Sequence, residues 1–207
     1  NIGQLYDTLG DTKQGLAFVQ RALDVFEGVD DRAGRCDALS AIAEMMLESG
    51  RAPQDAAVPL DQARRIANRL GSHYEIARER IVRAQLEEHA GNADAAREAA
   101  EDALTSALAE DLAFYELHAR ARLASLDKDP AKVKEHADIV LTRLGEGVAV
   151  EHVDRLYSLV AKALRSIGDE TRASECDDAS RAAIELQASQ IVTTAVRTRF
   201  LASKGLS

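Results

Sequence analysis

The sequence predicts an all-α chain made of about five antiparallel helical hairpins and a C-terminal capping helix. Three observations lead there. Apolar residues recur at helical spacing throughout, with no run of six or more that alternates apolar and polar residues beside turn signals as strands require. The apolar fraction is 46% while aromatics are only 4% and Trp is absent, so small aliphatic side chains dominate, which suits close helix packing. Turn glycines at 10, 50, 91 and 168 are separated by 40, 41 and 77 residues, the last gap being close to two periods.

The opening stretch NIGQLYDTLGDTKQGLAFVQRALDVF contains one whole unit. Ile2, Gly3, Leu5, Tyr6 and Leu9 form an apolar helical face, Gly10 and Asp11 interrupt it, and Gly15, Leu16, Val19, Ala22, Leu23 and Phe26 form the next. Gly3, Gly15 and Ala22 are small where the partner helix approaches. A second unit follows in ALSAIAEMMLESGRAPQDAAVPLDQARRIANRLG, with Ile42, Ala43 and Met46 before Gly50 and Ala56, Ala63 and Ile66 after it. Pro59 would cost a helix interior about 3 kcal/mol and kink it, so the second helix here is expected to start near Asp55, with Pro59 in its first turn, a kink being the alternative outcome.

A third unit surrounds Gly91, with Ala84 before and Ala96, Ala103 and Leu104 after. The double gap should hide a fourth. FYELHARARLASLDKDPAKVKEHADIVLTRL supplies it, through Leu117, Ala121 and Leu126, a turn at 127–129, and Pro130 as first helical residue behind an Asp cap. The fifth unit uses Val160, Ala161, Leu164, Gly168, Ala173 and Ser180. These units are expected over 1–30, 31–71, 72–110, 111–146 and 147–185. The segment 186–207 extends beyond them, with Ile191, Ala195, Val196, Phe200 and Leu201 as a stripe able to cover the last apolar face. Arg181, Arg197, Arg199 and Lys204 face only Glu185 there, which also suits a docking helix or dimer contact.

The pattern IGxLYxxLGDxxxGLxxxxxAL, from Ile2 to Leu23, resembles the tetratricopeptide repeat, with Gly3, Tyr6, Gly10, Gly15 and Ala22 at signature sites. The period near 40 exceeds the family's usual 34 residues and resembles the long-helix version found in bacterial signalling ATPases, nucleotide cyclases and transcription regulators. The resemblance implies a right-handed superhelical solenoid whose first helices line a concave groove. Its groove positions fall at Gln4, Asp7 and Thr8; Asp37, Ser40, Glu44 and Glu48; Arg78, Gln85, Glu88 and His89; His118, Arg122 and Ser125; and Arg155, Ser158, Lys162 and Arg165. In chain order these run from acidic to basic, which would steer a ligand of opposite polarity. The clamp of Lys, Asn and Arg by which some family members hold acidic chaperone tails is missing, since Ser40, Ala41 and Glu44 stand in its place.

A net charge of −9 argues against a nucleic-acid or anionic-membrane surface as partner. No apolar run reaches the roughly 18–20 residues of a membrane span. Cys36 and Cys176, far apart and without metal-like spacing, suit reduced thiols in a cytoplasmic protein. No phosphate loop, nucleophile elbow or metal-ligand histidine spacing occurs among His73, His89, His118, His136 and His152. No cofactor or catalytic role is expected. An enzyme would need a deep pocket with converging ionisable side chains. The chain starts without Met, apparently inside a helix, which suggests a piece of a longer protein. The expected role is a protein- or peptide-binding module, sensor or scaffold arm of a larger signalling or transcription-regulatory protein, with self-association through the C-terminal helix as the alternative.

Overall fold

The computed structural model describes residues 2–206. Among the described residues there are eleven α-helices and no strand. They are α1 (Ile2–Thr8), α2 (Thr12–Gly28), α3 (Arg32–Glu48), α4 (Pro53–Leu70), α5 (His73–His89), α6 (Ala93–Ala109), α7 (Ala113–Leu126), α8 (Pro130–Gly145), α9 (Val153–Ser166), α10 (Glu170–Gln190) and α11 (Thr194–Ser203). Each packs against its sequence neighbour, as an α-helical repeat does. The odd-numbered helices α3, α5, α7 and α9 also pack on one another and form an inner layer, outside which the even-numbered helices stand.

The turn glycines close the first helix of each pair by one repeated device. Gly10, Gly50, Gly91 and Gly168 all have left-handed φ, between 74° and 81°. The amide after each glycine donates to a carbonyl five residues back, as Asp11 N does to Tyr6 O at 2.8 Å and Asp169 N to Leu164 O at 3.0 Å, which satisfies carbonyls the helix leaves open. At Gly10 and Gly168 an Asp behind the glycine then starts the next helix. Asp11 Oδ1 accepts from Gln14 N, and Asp169 Oδ1 from Arg172 N, so the Gly-Asp pair ends one helix and caps the other. The fourth pair does without glycine: Asp127 is extended, and Asp129 caps α8 ahead of Pro130.

Small residues set the packing. A Cβ on Gly3 would lie 2.4 Å from Val19 Cγ2, and one on Gly15 would lie 2.8 Å from Gly3 O, so α1 and α2 touch backbone to backbone. Further on, Ala43, Ala56, Ala63, Ala84, Ala96, Ala103, Ala121 and Ala161 are fully buried or nearly so. Apolar clusters follow one another from α2 to α10 along the seams between hairpins.

Two expectations are corrected. Helix α4 starts at Pro53 rather than near Asp55, because Pro53 at the first position is already held at a helical φ. Pro59 therefore lies inside the helix, where the exposed turn around Asp55 lets water reach the carbonyl that Pro59 cannot bond. Helix α10 runs to Gln190, past the expected limit of 185, so the extension is the end of α10, a break at 191–193, and α11. Helix α11 folds back with Phe200 buried against Ile184 and Ala188.

Candidate functional site

The inner helices surround one cavity of about 740 Å³. Every odd-numbered helix contributes to its wall. Helix α5 presents Arg78, Ile81, Val82, Gln85 and His89, and α9 presents Asp154, Arg155, Ser158, Leu159 and Lys162, each set lying at the three- and four-residue spacing of one helical face. Helix α1 adds Gln4, Asp7 and Thr8, α3 adds Glu44, Leu47 and Glu48, and α7 adds Phe114, Tyr115, His118 and Arg122.

Of the eighteen groove residues expected from sequence, Thr8, His89, Ser158 and ten others line the cavity. Gln4, Asp7, Glu44, Glu48, Arg78, Gln85, His118, Arg122, Arg155 and Lys162 are the ten others that do. Arg165 does not; it lies over α10, paired with Asp177 and, at 3.6 Å, with Glu170. At one further turn from Lys162, the α9 face has rotated away from the interior. Ser40 is fully buried in the hairpin core, and Asp37 faces a separate, smaller pocket of about 280 Å³ beside Phe26 and Tyr74.

The expected acidic-to-basic run does not stay linear. Arg155 on α9 pairs with Glu48 and, at 3.6 Å, with Glu44 on α3, although 107 residues separate Arg155 from Glu48. The curvature of the stacked helices brings the acidic start opposite the basic end, so the two neutralise each other across the cavity. Arg122 donates to Glu88 (2.7 Å) and Gln85 (3.3 Å), and Lys204, just past the end of α11, donates to Asp154 at 2.6 Å.

Burial sets the charge states. It raises the Glu48 carboxyl, Arg155 pulls the other way, and Glu44 and Asp7 add to the rise, leaving it at about 7. Burial pushes the His118 imidazole well down, aided by Arg122 and His152, so it is neutral near pH 7; its Nε2 lies 3.4 Å from Glu151 O. His152 is lowered likewise, by burial first and Arg155 second. Among the described residues three polar atoms of the lining are buried without a hydrogen-bond partner: Asp154 Oδ1, Arg78 Nε and Arg122 Nε. Arg78 Nε is 3.2 Å from Asp37 Oδ1, an ion-pair distance at which neither atom meets hydrogen-bond geometry.

Sequence reasoning missed the contribution of 151–154 and of α11. Glu151 and His152 belong to the long connection before α9, where no helical spacing points inward, and His152 takes a left-handed φ of 57°. Ser203 and Lys204 reach the cavity only because α11 folds back. Among the described residues no three His, Cys, Asp or Glu side chains lie close enough together to hold a metal ion. Nor is any helix there long and apolar enough to cross a membrane.

Fold and site together define an all-α chain whose helices pack in sequence order, consistent with an α-helical repeat, with a half-open charged and aromatic cavity among the inner helices. No protein-family model, curated protein or solved structure matches the chain.

Proposed function

We propose that the chain is a non-catalytic binding module of the tetratricopeptide type, a right-handed superhelix that receives a protein or peptide segment in its central cavity. Its place would be the sensor or scaffold arm of a larger bacterial signalling or transcription-regulatory protein. One observation carries the reading: each inner helix turns polar, ionic or aromatic side chains toward a single space. Carboxylates of α1 and α3, guanidinium groups of α5, α7 and α9, and the Phe114–Tyr115–His118 cluster suit a peptide, which brings both charges, amides and side chains of mixed polarity. A volume of about 740 Å³ suits a few residues rather than a folded partner.

The cavity also gathers ionisable groups, as an enzyme would. Binding is favoured because those groups neutralise one another: Glu48 holds Arg155, Asp154 holds Lys204, and Glu88 holds Arg122. The hydroxyls of Ser158 and Ser180 bond to each other and to Asp154 O rather than to a base. Self-association through the C-terminal helix has less behind it, because Arg197 is used by Ile191 O and Arg199 by Leu9 O and Asp11 within the chain.

The test is selection of linear peptides from a random library on the full chain, followed by calorimetric titration. Lys162→Glu, at an exposed cavity residue with no ion-pair partner among the described residues, should weaken the selected peptides by about tenfold, or 1.4 kcal/mol. Affinity unchanged from the native chain in both Lys162→Glu and His118→Ala would remove the cavity as the binding site.

A further inference from the structure

The two ends of the chain meet, and the chemistry of that meeting differs from every other seam in the molecule. Helix α11 is anchored on its own side by Phe200 against Ile184 and Ala188 and by Lys204 on Asp154. From there it reaches the turn between α1 and α2. Arg199 Nε donates to Leu9 O at 3.1 Å, and its Nη1 donates to Asp11 Oδ2 at 2.8 Å, across more than 180 residues of sequence. Asp11 serves two helices at once, one oxygen capping α2 and the other taking Arg199. Gly10 permits the approach, since a Cβ there would stand 2.9 Å from Ser203 Cβ and 3.1 Å from Arg199 O.

Inside the cavity Arg155 crosses from α9 to Glu48 and Glu44 of α3. No residue of α11 enters the apolar cluster of α2 to α5, nor does any residue of α1 or α2 enter that of α10 and α11. The side-chain bonds that close the seam are thus polar, and no buried apolar cluster spans it. Such contacts have short range, are screened by salt, and contribute little against the entropy of holding two chain ends together.

We infer that this seam is a clasp: Arg199 on the α1–α2 turn and Arg155 on α3 hold the repeat closed around its cavity, and their release lets the ends part while every hairpin stays folded. Regulation of the cavity by the clasp rests on the binding role proposed above. A segment that takes Glu44 and Glu48, or offers Arg155 a carboxylate, competes with the pair spanning the cavity, so occupancy and end separation become linked. The clasp itself does not depend on any ligand.

The experiment uses the full chain with spin labels at Lys13→Cys and Ala202→Cys, two exposed sites on α2 and α11; native Cys36 and Cys176 are buried. Dipolar electron resonance at low salt should give one short-distance population. At about 1 M NaCl, where charges are screened beyond roughly 3 Å, a longer population should appear with helix content by circular dichroism unchanged. Arg199→Ala should produce the same longer population at low salt, and Arg199→Lys should largely restore the short one. A distribution that neither salt nor Arg199→Ala alters overturns the clasp. So does lengthening that occurs only together with loss of helix. Should Arg199→Ala fail to fold, the salt series on the otherwise unchanged chain decides alone. Because distances are read without ligand, failure here leaves peptide binding in the cavity standing, and failure of peptide selection leaves the clasp standing.

Discussion

The seam between neighbouring hairpins and the seam between the chain ends are built from different materials. Between α7, α9 and their partners, Leu117, Ala121, Val140, Leu156, Val160 and Leu164 are fully buried in one apolar cluster. Where the ends meet there are guanidinium, carboxylate and carbonyl groups, with Arg199 40% exposed. The first kind of seam gains from apolar area removed from water and does not weaken in salt. The second gains little and does. Cohesion along the chain and closure across it are therefore separately adjustable, which lets the cavity change shape without unfolding the repeat.

The largest effect is expected at the apolar seam. Leu117→Ala should lower unfolding free energy by about 2–5 kcal/mol, from lost burial and the hole left behind, and chemical denaturation should show the loss to be the same at low and high salt. A loss that varied with salt would blur the contrast between the seams.

Next comes the pair that spans the cavity. Unfolded, the Glu48 carboxyl titrates near 4.5; folded, it holds its proton to about 7. Between these values the folded chain binds more protons, so stability falls as pH rises from 4.5 to 7, and above that the full cost remains. Glu48→Gln should flatten this slope, by at most about 3 kcal/mol, in melting curves taken between pH 4.5 and 8. An unchanged slope would remove Glu48 as its source.

At the end seam, Arg199→Ala should cost about 1 kcal/mol or less at low salt and nothing measurable near 1 M, by denaturation at both salt levels. A salt-independent loss would mean that Arg199 acts through packing. Smallest of all is Arg97→Ala. Its pair with Asp94 lies on the outer surface, with Asp94 96% exposed, and the change should stay within about 0.5 kcal/mol.

Legibility followed the same divide. Helical periodicity and the glycines at 10, 50, 91 and 168 are local signals: four helix pairs turn at those glycines, because each closes the helix just before it, while the turn at 127–129 shows only in periodicity and in Pro130 behind its Asp cap. The junctions between hairpins carry the same left-handed position, but Asp30 and Asp111 occupy it beside Gly71, and aspartate gives no comparable signal. The groove positions that the resemblance implied fall on inward faces at Arg155, Lys162 and Gln85, yet overrun at Arg165 by one turn. What spacing could not show was curvature. That Arg155 meets Glu48, and that Arg199 meets Asp11, depends on small angles between stacked helices summed over most of the chain, and no short stretch of sequence records that sum.

The claim on which the rest depends is that the chain closes on itself. Small-angle X-ray scattering of the full chain at low salt tests it most directly. Closure predicts a radius of gyration within a few ångström of the roughly 17 Å expected for a compact chain of this length, with no long-distance tail. A markedly larger radius with an extended tail, in a protein of full helix content, would contradict it.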